Sequence, residues 1–256
     1  MTVELSGSEI QKASSLLKVA RHAVALTGAG ISTPSGIPDF RSQGSGLWTK
    51  DNPMEVASLS AFRYRPDRFF AWLRPLAAQI AKARPNPAHQ ALADLEKAGR
   101  IKAVITQNID GLHQAAGSQA VFELHGSTRS LTCLHCRRTY PIGQFLEEFL
   151  AQAKLPYCPN CGKLLKPDIV LFEEMLPASV WRQAEAHCRH ADLMLVVGSS
   201  LEVTPASGLP LTALDHGAQV IILNFSPTYL DDYASVVLHA DAAGILPQLA
   251  ALALGN

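Results

Sequence analysis

No run in this sequence reaches the roughly 18 apolar residues that a membrane-crossing helix requires, and MTVELSGSEIQKASSLLKVARH lacks an apolar stretch of secretory type. Neither sign of charge is in excess, with Lys plus Arg and Asp plus Glu at 22 each. Bulk charge therefore does not recruit a polyanion or a membrane surface, and contact with nucleic acid would need a local patch. Five cysteines in 256 residues are too few for a disulfide scaffold, which places the chain in a reducing compartment. No internal repeat or low-complexity tract is present, which sets aside solenoids and linkers. The expectation is a soluble, cytoplasmic monomer that meets neither membrane nor nucleic acid directly.

Hydrophobic residues make up 48% of the chain, enough for one large domain or a large domain carrying a small one. Short apolar runs rich in β-branched residues recur at 23–26, 103–106, 193–197, 220–223 and 236–238. Helical patterns separate several of them, which argues for βαβ units and a mainly parallel sheet covered on both faces. Ser8 with Gln11 reads as a capping box, and Asn86 followed by Pro87 opens a helix that stops at Gly99. Two stretches interrupt the alternation. One, dense in Gly, Pro and Ser, runs from Thr33 to about Asp67; the other, from about Ser127 to Pro167, holds four of the cysteines. The fold expected is α/β: a Rossmann-like parallel-sheet domain (1–33, 68–126 and 168–256), with a smaller inserted domain. That smaller domain comprises a loop and helical part (34–67) and a zinc-ribbon module (127–167).

The cysteines of TCLHC and YCPNC, Cys133, Cys136, Cys158 and Cys161, form two CxxC pairs. Two intervening residues let both thiolates of a turn face one ion, and two such turns close a tetrahedral Zn²⁺ shell with no open position. The site is therefore read as structural, with His135 left to solvent. The module's Arg129, Arg137, Arg138, Lys154, Lys163 and Lys166 against Glu147 and Glu148 make no basic patch. Cys188 follows Trp181 and Ala184 at helical spacing and reads as a small buried hydrophobe. His89 and His113 read as packing or helix-start residues.

After the run ending at Leu26 comes TGAGISTPSGIPDFR. Gly28 and Gly30 suit a close backbone approach to a pyrophosphate. The third glycine of GxGxxG is replaced by Thr33, and no acidic strand end follows about twenty residues on. On the glycines alone, a plain tight turn is nearly as good a reading. Other strand ends are unusually polar: ITQNIDGLH supplies Gln107, Asn108, Asp110 and His113, FELHGS supplies His125, VVGSSLEV supplies Ser199 and Ser200, and IILNFSP supplies Asn224. Ligands of open α/β sheets sit outside the carboxyl ends of the strands, so these groups can share one crevice. Singly, Asn108 and Asp110 could instead cap the following helix.

Together GAGIS, GIPDFR, TQNID, HG at 125–126, the four cysteines, KPDIVLF, GSSL and Asn224 resemble the sirtuin family of NAD-dependent protein-lysine deacylases, in order and over nearly the whole chain. The resemblance implies that NAD and acyl-lysine meet between a Rossmann-like and a zinc-containing domain. By motif, Gly28, Ala29 and Thr33 line the phosphate and ribose region. Phe40 and Arg41 belong to a mobile loop over the nicotinamide, and Gln107, Asn108, Ile109 and Asp110 shape the nicotinamide and ribose pocket. Ser199, Ser200, Asn224 and Phe225 fall on the adenosine side. His125 falls on the catalytic base, with Asn108 and Asp110 beside it in the catalytic set.

In the family's mechanism the acyl oxygen attacks C1′ of the ribose as nicotinamide leaves, and a ribose hydroxyl, deprotonated by the histidine, then attacks the imidate. The products implied are free lysine, nicotinamide and O-acyl-ADP-ribose. The resemblance also implies that acyl-lysine peptides pair as a strand with Val170, Leu171, Phe172 and Glu173. Family members usually have glycine at the position of Glu173, and pairing survives a glutamate provided φ need not be positive there. A branch preferring acidic acyl groups carries Tyr-x-x-Arg where this chain has Phe70, Ala71, Trp72 and Leu73. A carboxylate tail would lack its bidentate partner. The expectation is an apolar channel for acetyl or longer apolar groups, with Arg74 out of register. Mono-ADP-ribosyl transfer from the same NAD cleavage is the competing enzyme reading. A non-catalytic NAD or ADP-ribose binding module would have no need for a base.

Overall fold

The computed structural model describes residues 7–40, 46–49 and 51–255. Nine strands are assigned: β1 (Ala23–Thr27), β2 (Ile101–Thr106), β3 (Val121–Glu123), β4 (Gly126–Cys133), β5 (Thr139–Pro141), β6 (Leu165–Ile169), β7 (Leu193–Val197), β8 (Gln219–Leu223) and β9 (Val236–Leu238). The helices are α1 (Gly7–Val19), α2 (Pro53–Val56), α3 (Leu59–Tyr64), α4 (Pro66–Lys82), α5 (Pro87–Lys97), α6 (Leu112–Ala116), α7 (Leu146–Gln152), α8 (Ala178–His190), α9 (Leu209–Asp215) and α10 (Ala242–Leu254).

Six strands form an all-parallel sheet in the order β3-β2-β1-β7-β8-β9. The apolar runs read in the sequence are its five inner and edge strands, and their continuous apolarity has a direct cause. Alternate residues of β1 go to opposite faces. Ala23 and Ala25 pack with Leu17 of α1, Leu92 of α5 and Leu246 of α10. Val24 and Leu26 pack with Ala184 and Cys188 of α8 and Ala213 of α9. With helices on both faces, neither side of a strand tolerates a polar residue. Strand order reverses direction at β1, whose two neighbours are β2 and β7, and a crevice opens there beyond the strand carboxyl ends.

Asn86 is the N-cap of α5, with its side chain accepting from Ala88 N–H and the His89 ring completing the box; Gly99 lies just past the helix at φ 74°. The Ser8 reading is corrected: Ser8 lies inside α1, which already includes Gly7. A residue inside the helix is not its N-cap.

The smaller sheet is antiparallel, in the order β5-β4-β6. Around it, Phe69, Phe70, Leu73 and Leu76 of α4 join Phe62, Phe149, Ile169 and Leu171 in a separate apolar cluster. Helix α4 therefore packs with the small module and not on the parallel sheet.

Candidate active site

The β1 and β7 ends are joined backbone to backbone. Gly28 N–H donates to Val197 O at 3.1 Å and Gly30 N–H to Gly198 O at 2.8 Å. A Cβ on Gly28 would lie 2.7 Å from the Gly198 carbonyl oxygen, and one on Gly198 only 2.3 Å from Ile31 N. Gly198 also has φ 60°. The glycines are thus demanded by the mutual approach of two turns, before any ligand is considered. The same holds at Gly126, with φ 72° and a hypothetical Cβ 2.0 Å from Asp168 O, where the chain enters the small sheet directly after His125.

Behind this joint lies a buried polar network. Asn108 Nδ2 donates to Gly28 O at 3.0 Å and to Ser32 Oγ at 3.1 Å, and Ser32 Oγ donates to Asp110 Oδ2 at 2.7 Å. Asp110 Oδ1 accepts from Leu112 N–H at 2.9 Å, so its helix-capping role and its place in the network coexist. Ser32, within GAGIS, carries no local signal for this role, because its partner is 78 residues away. The His89 and His113 rings meet at a tilt beneath, with centroids 4.9 Å apart. Burial pushes His113 down to about 3, with His89 adding to the shift. His89 is lowered by burial to about 4, against the pull of Asp110. Thr27 Oγ1 donates to Thr106 Oγ1, so it accepts from His113 Nε2–H at 2.8 Å, and His113 Nδ1 has no partner among the described residues. Both are neutral interior histidines, as the sequence suggested.

His125 Nδ1 lies 2.9 Å from Gln107 O. A carbonyl only accepts, so Nδ1 carries the proton and Nε2 of the neutral ring is a free base. Burial holds the imidazole below its ordinary value of 6.5, and the Gln107 bond opposes the shift. Gln107 is itself held by Ser199 Oγ at 2.9 Å.

One cleft of about 1480 Å³ collects these groups. Gly28, Ala29, Thr33, Phe40, Gln107, Asn108, Ile109, Asp110, His125, Ser199, Ser200, Asn224 and Phe225 all line it, as do Val170, Leu171, Phe172 and Glu173. Arg41 lies outside the described residues. Asn224 is held by Ser226 O at 2.7 Å, whereas Phe225 is 80% exposed at the rim. The second wall is aromatic: Trp48 stacks on Phe40 at 5.0 Å and on Trp72 at 5.6 Å, and meets Phe172 edge-on at 6.0 Å. The grouping of Trp48 with Trp72 had no signal in the sequence, since no motif links the two. Ile37, Leu76 and Ile80 extend the apolar surface, and Arg74 does not line the cleft. Phe70 and Leu73 are buried and face a second apolar cavity of about 150 Å³ under α4.

The segment 170–174 is tied down on both sides. Val170 N–H donates to His125 O at 2.7 Å, and Glu174 accepts from Leu171 N–H and from the buried Lys166 ammonium. Glu173 has φ 73°. The condition under which strand pairing survives a glutamate here, that φ need not be positive, is therefore not met.

The four thiolates lie within 4.8 Å of one another, with Cys133 to Cys161 at 3.5 Å and Cys136 to Cys158 at 3.6 Å. Sulfurs bound to one tetrahedral zinc at 2.3 Å stand about 3.8 Å apart, so the donor set fits a Zn²⁺ ion. Tyr140 OH reaches Cys158 Sγ at 3.4 Å and supports it from outside. His135 is exposed, and burial pushes the Cys188 thiol up to about 12, which leaves it inert.

A switch-point crevice, glycine turns and a four-thiolate module on the opposite side define a two-domain, nucleotide-cleft α/β protein. The model of the Sir2 family matches residues 28–205. The chain is 47% identical over 242 residues to NAD-dependent protein deacylase 2 of Archaeoglobus fulgidus, covering 94% of each chain. It is 43% identical to NAD-dependent protein deacetylase 1 of Geobacillus kaustophilus over 90% of this chain and 92% of the relative. Among solved structures, Sir2Af2 bound to a myristoylated histone peptide superposes with a TM-score of 0.83 at 41% identity, over 97% of each chain. A Sir2 structure with a propionylated peptide gives 0.85 at 39% identity, over 94% of this chain and 96% of the other. The chain belongs to the Sir2 family.

Proposed function

We propose that this protein is an NAD-dependent protein-lysine deacylase that removes acetyl or other apolar acyl groups, releasing nicotinamide, O-acyl-ADP-ribose and free lysine. The observation that carries the reading is the free His125 Nε2 in a cleft that also holds the Asn108–Ser32–Asp110 network and an apolar aromatic wall. Bound NAD supplies a ribose carbon that becomes electrophilic as nicotinamide departs. Gly28, Ala29 and Thr33 border its phosphate and ribose region; Gln107, Asn108, Ile109 and Asp110 border the nicotinamide ribose; Ser199, Ser200, Asn224 and Phe225 border the adenosine.

His125 Nε2 takes the proton of a ribose hydroxyl, and its Nδ1–H bond to Gln107 fixes the tautomer that can do so. Phe40, stacked on Trp48, excludes water from the reacting sugar. No arginine of α4 lines the cleft, so an acidic acyl tail would lack the partner that the Tyr-x-x-Arg branch supplies from this helix. Cys133, Cys136, Cys158 and Cys161 hold Zn²⁺ as a structural ion. Among the described residues no helix is long and apolar enough to cross a membrane. A cytoplasmic monomer is the corresponding proposal.

The test is incubation with acetyl-, longer-acyl- and succinyl-lysine peptides, with and without NAD, following peptide mass and O-acyl-ADP-ribose. Removal of apolar acyl groups only with NAD is expected. Deacylation without NAD sinks the mechanism, and labelled protein without deacylated peptide favours ADP-ribosyl transfer. His125→Ala is expected to lose deacylation by about 100-fold or more while still binding NAD. Full activity in that variant refutes the assigned base.

A further inference from the structure

Four non-glycine residues have positive φ among the described residues, and one of them, Glu173 at 73°, borders the cleft. Glu173 occupies the third place of a turn closed by Glu174 N–H donating to Leu171 O at 3.0 Å, the place that glycine ordinarily fills when φ is positive. Residue 173 borders the cleft, but its carboxylate is turned to α3. Glu173 Oε2 accepts from Ser60 N–H at 2.8 Å, at the start of α3. Next to that bond, Phe172 N–H donates to Ala57 O at 3.1 Å and Leu59 N–H donates to Phe172 O at 3.0 Å. The backbone N–H and C=O of Glu173 itself have no partner among the described residues.

Resting on the deacylase reading above, we infer that Glu173 is a positioning residue for the acyl-lysine peptide. Its carboxylate anchors the turn to α3, holds residue 173 in the left-handed region without glycine, and keeps the unpaired backbone groups turned toward the peptide. Without the anchor, an ordinary side chain at 173 relaxes toward negative φ. The peptide plane then rotates and the hydrogen-bonding edge offered to the substrate is lost. The anchor also fixes Phe172, whose ring packs on Trp48. The role concerns peptide capture and not the NAD side, because the contacts of Glu173 are to α3 and none is to the residues around Gly28 or Asn108.

Steady-state kinetics of wild type, Glu173→Ala, Glu173→Gln and Glu173→Gly, varying an acetyl-lysine peptide and NAD separately, test this. Glu173→Ala is expected to raise the peptide KM about fivefold to tenfold, leaving kcat and the KM for NAD within about twofold. Glu173→Gln keeps an acceptor for Ser60 and stays near wild type. Glu173→Gly loses the anchor but takes the left-handed region unaided, and restores the peptide KM. An active Glu173→Ala enzyme with an unchanged peptide KM overturns the inference, as does an equal fall of kcat in all three variants. A wild-type protein that binds NAD but releases no deacylated peptide is a different result: it overturns the deacylase reading, and this role with it.

Discussion

The parallel sheet and the zinc module reach order by different means. In the large domain β1, β7 and β8 are buried on both faces, and three helices on one side and two on the other complete the core. In the module, β4, β5 and β6 enclose a cluster whose fully buried members are only Leu131, Cys133, Cys158 and Leu165. This cluster is small; α4 and α7 cover the module with Phe69, Phe70 and Phe149, and four thiolates converging on one ion tie the two CxxC turns together. The lesson for the cleft between them is an asymmetry. Its sheet wall is set by close backbone contact, whereas its other wall depends on a metal, an aromatic stack and a few side-chain bonds.

Breaking the metal site tests that contrast most severely. Chelation of zinc, or Cys161→Ser, is expected to unravel the module and abolish deacylation by at least about 100-fold, while the large domain keeps a cooperative thermal transition. Retained activity after complete metal loss, measured by elemental analysis beside the assay, contradicts the structural role. On the sheet side, Gly198→Ala forces a Cβ to within 2.3 Å of Ile31 N at φ 60°. A loss of about 3 kcal/mol or more in chemical denaturation is expected, with weakened NAD binding.

The buried histidines of the large domain sharpen the comparison through pH. Folded His89 and His113 titrate near 4 and 3, below the ordinary 6.5, because burial disfavours the charged ring. Below pH 6.5 the unfolded chain therefore binds more protons than the folded one. Their contribution to stability is present above 6.5 and is lost as pH falls toward 4. Thermal unfolding of the large domain is expected to shift down over that window, and His113→Asn to flatten part of the dependence. An unchanged midpoint between pH 6.5 and 4.5 contradicts the neutral assignment.

The smallest effect lies within the module. Each CxxC turn ends in a left-handed residue that donates to the carbonyl of its first cysteine: Arg137 at φ 63° and Gly162 at φ 69°. Arg137→Gly makes the two turns alike and is expected to stabilise the module by about 0.5–1 kcal/mol, read as a small rise in melting temperature. A fall shows that the Arg137 side chain contributes more than its backbone costs.

The parts of the fold legible in the sequence were those governed by short-range pattern. Doubly buried strands appear as apolar runs, Asn86-Pro87 marks a helix start, and CxxC pairs mark a thiolate site, because each depends on neighbours only a few residues away. The reading failed at Ser8, which lies inside a helix, and it left Ser32 and Trp48 without a role. Their partners lie far along the chain, and nothing in local spacing records a stack or a hydrogen bond made across it.

Glu173 shows where that division falls. The sequence alone determined an α/β chain with four metal-binding thiolates, polar strand ends and the motifs of one enzyme family. It also posed the question at residue 173, whose answer is a torsion angle. Only the tertiary structure decided that φ is positive there and that the carboxylate is spent on Ser60, 113 residues away. Side-chain identity sets which bonds a residue can make, but burial, approach of distant turns and backbone handedness are properties of the packed chain. These govern the bare Nε2 of His125, the glycine-tight joint of β1 and β7, and the anchored turn at Glu173.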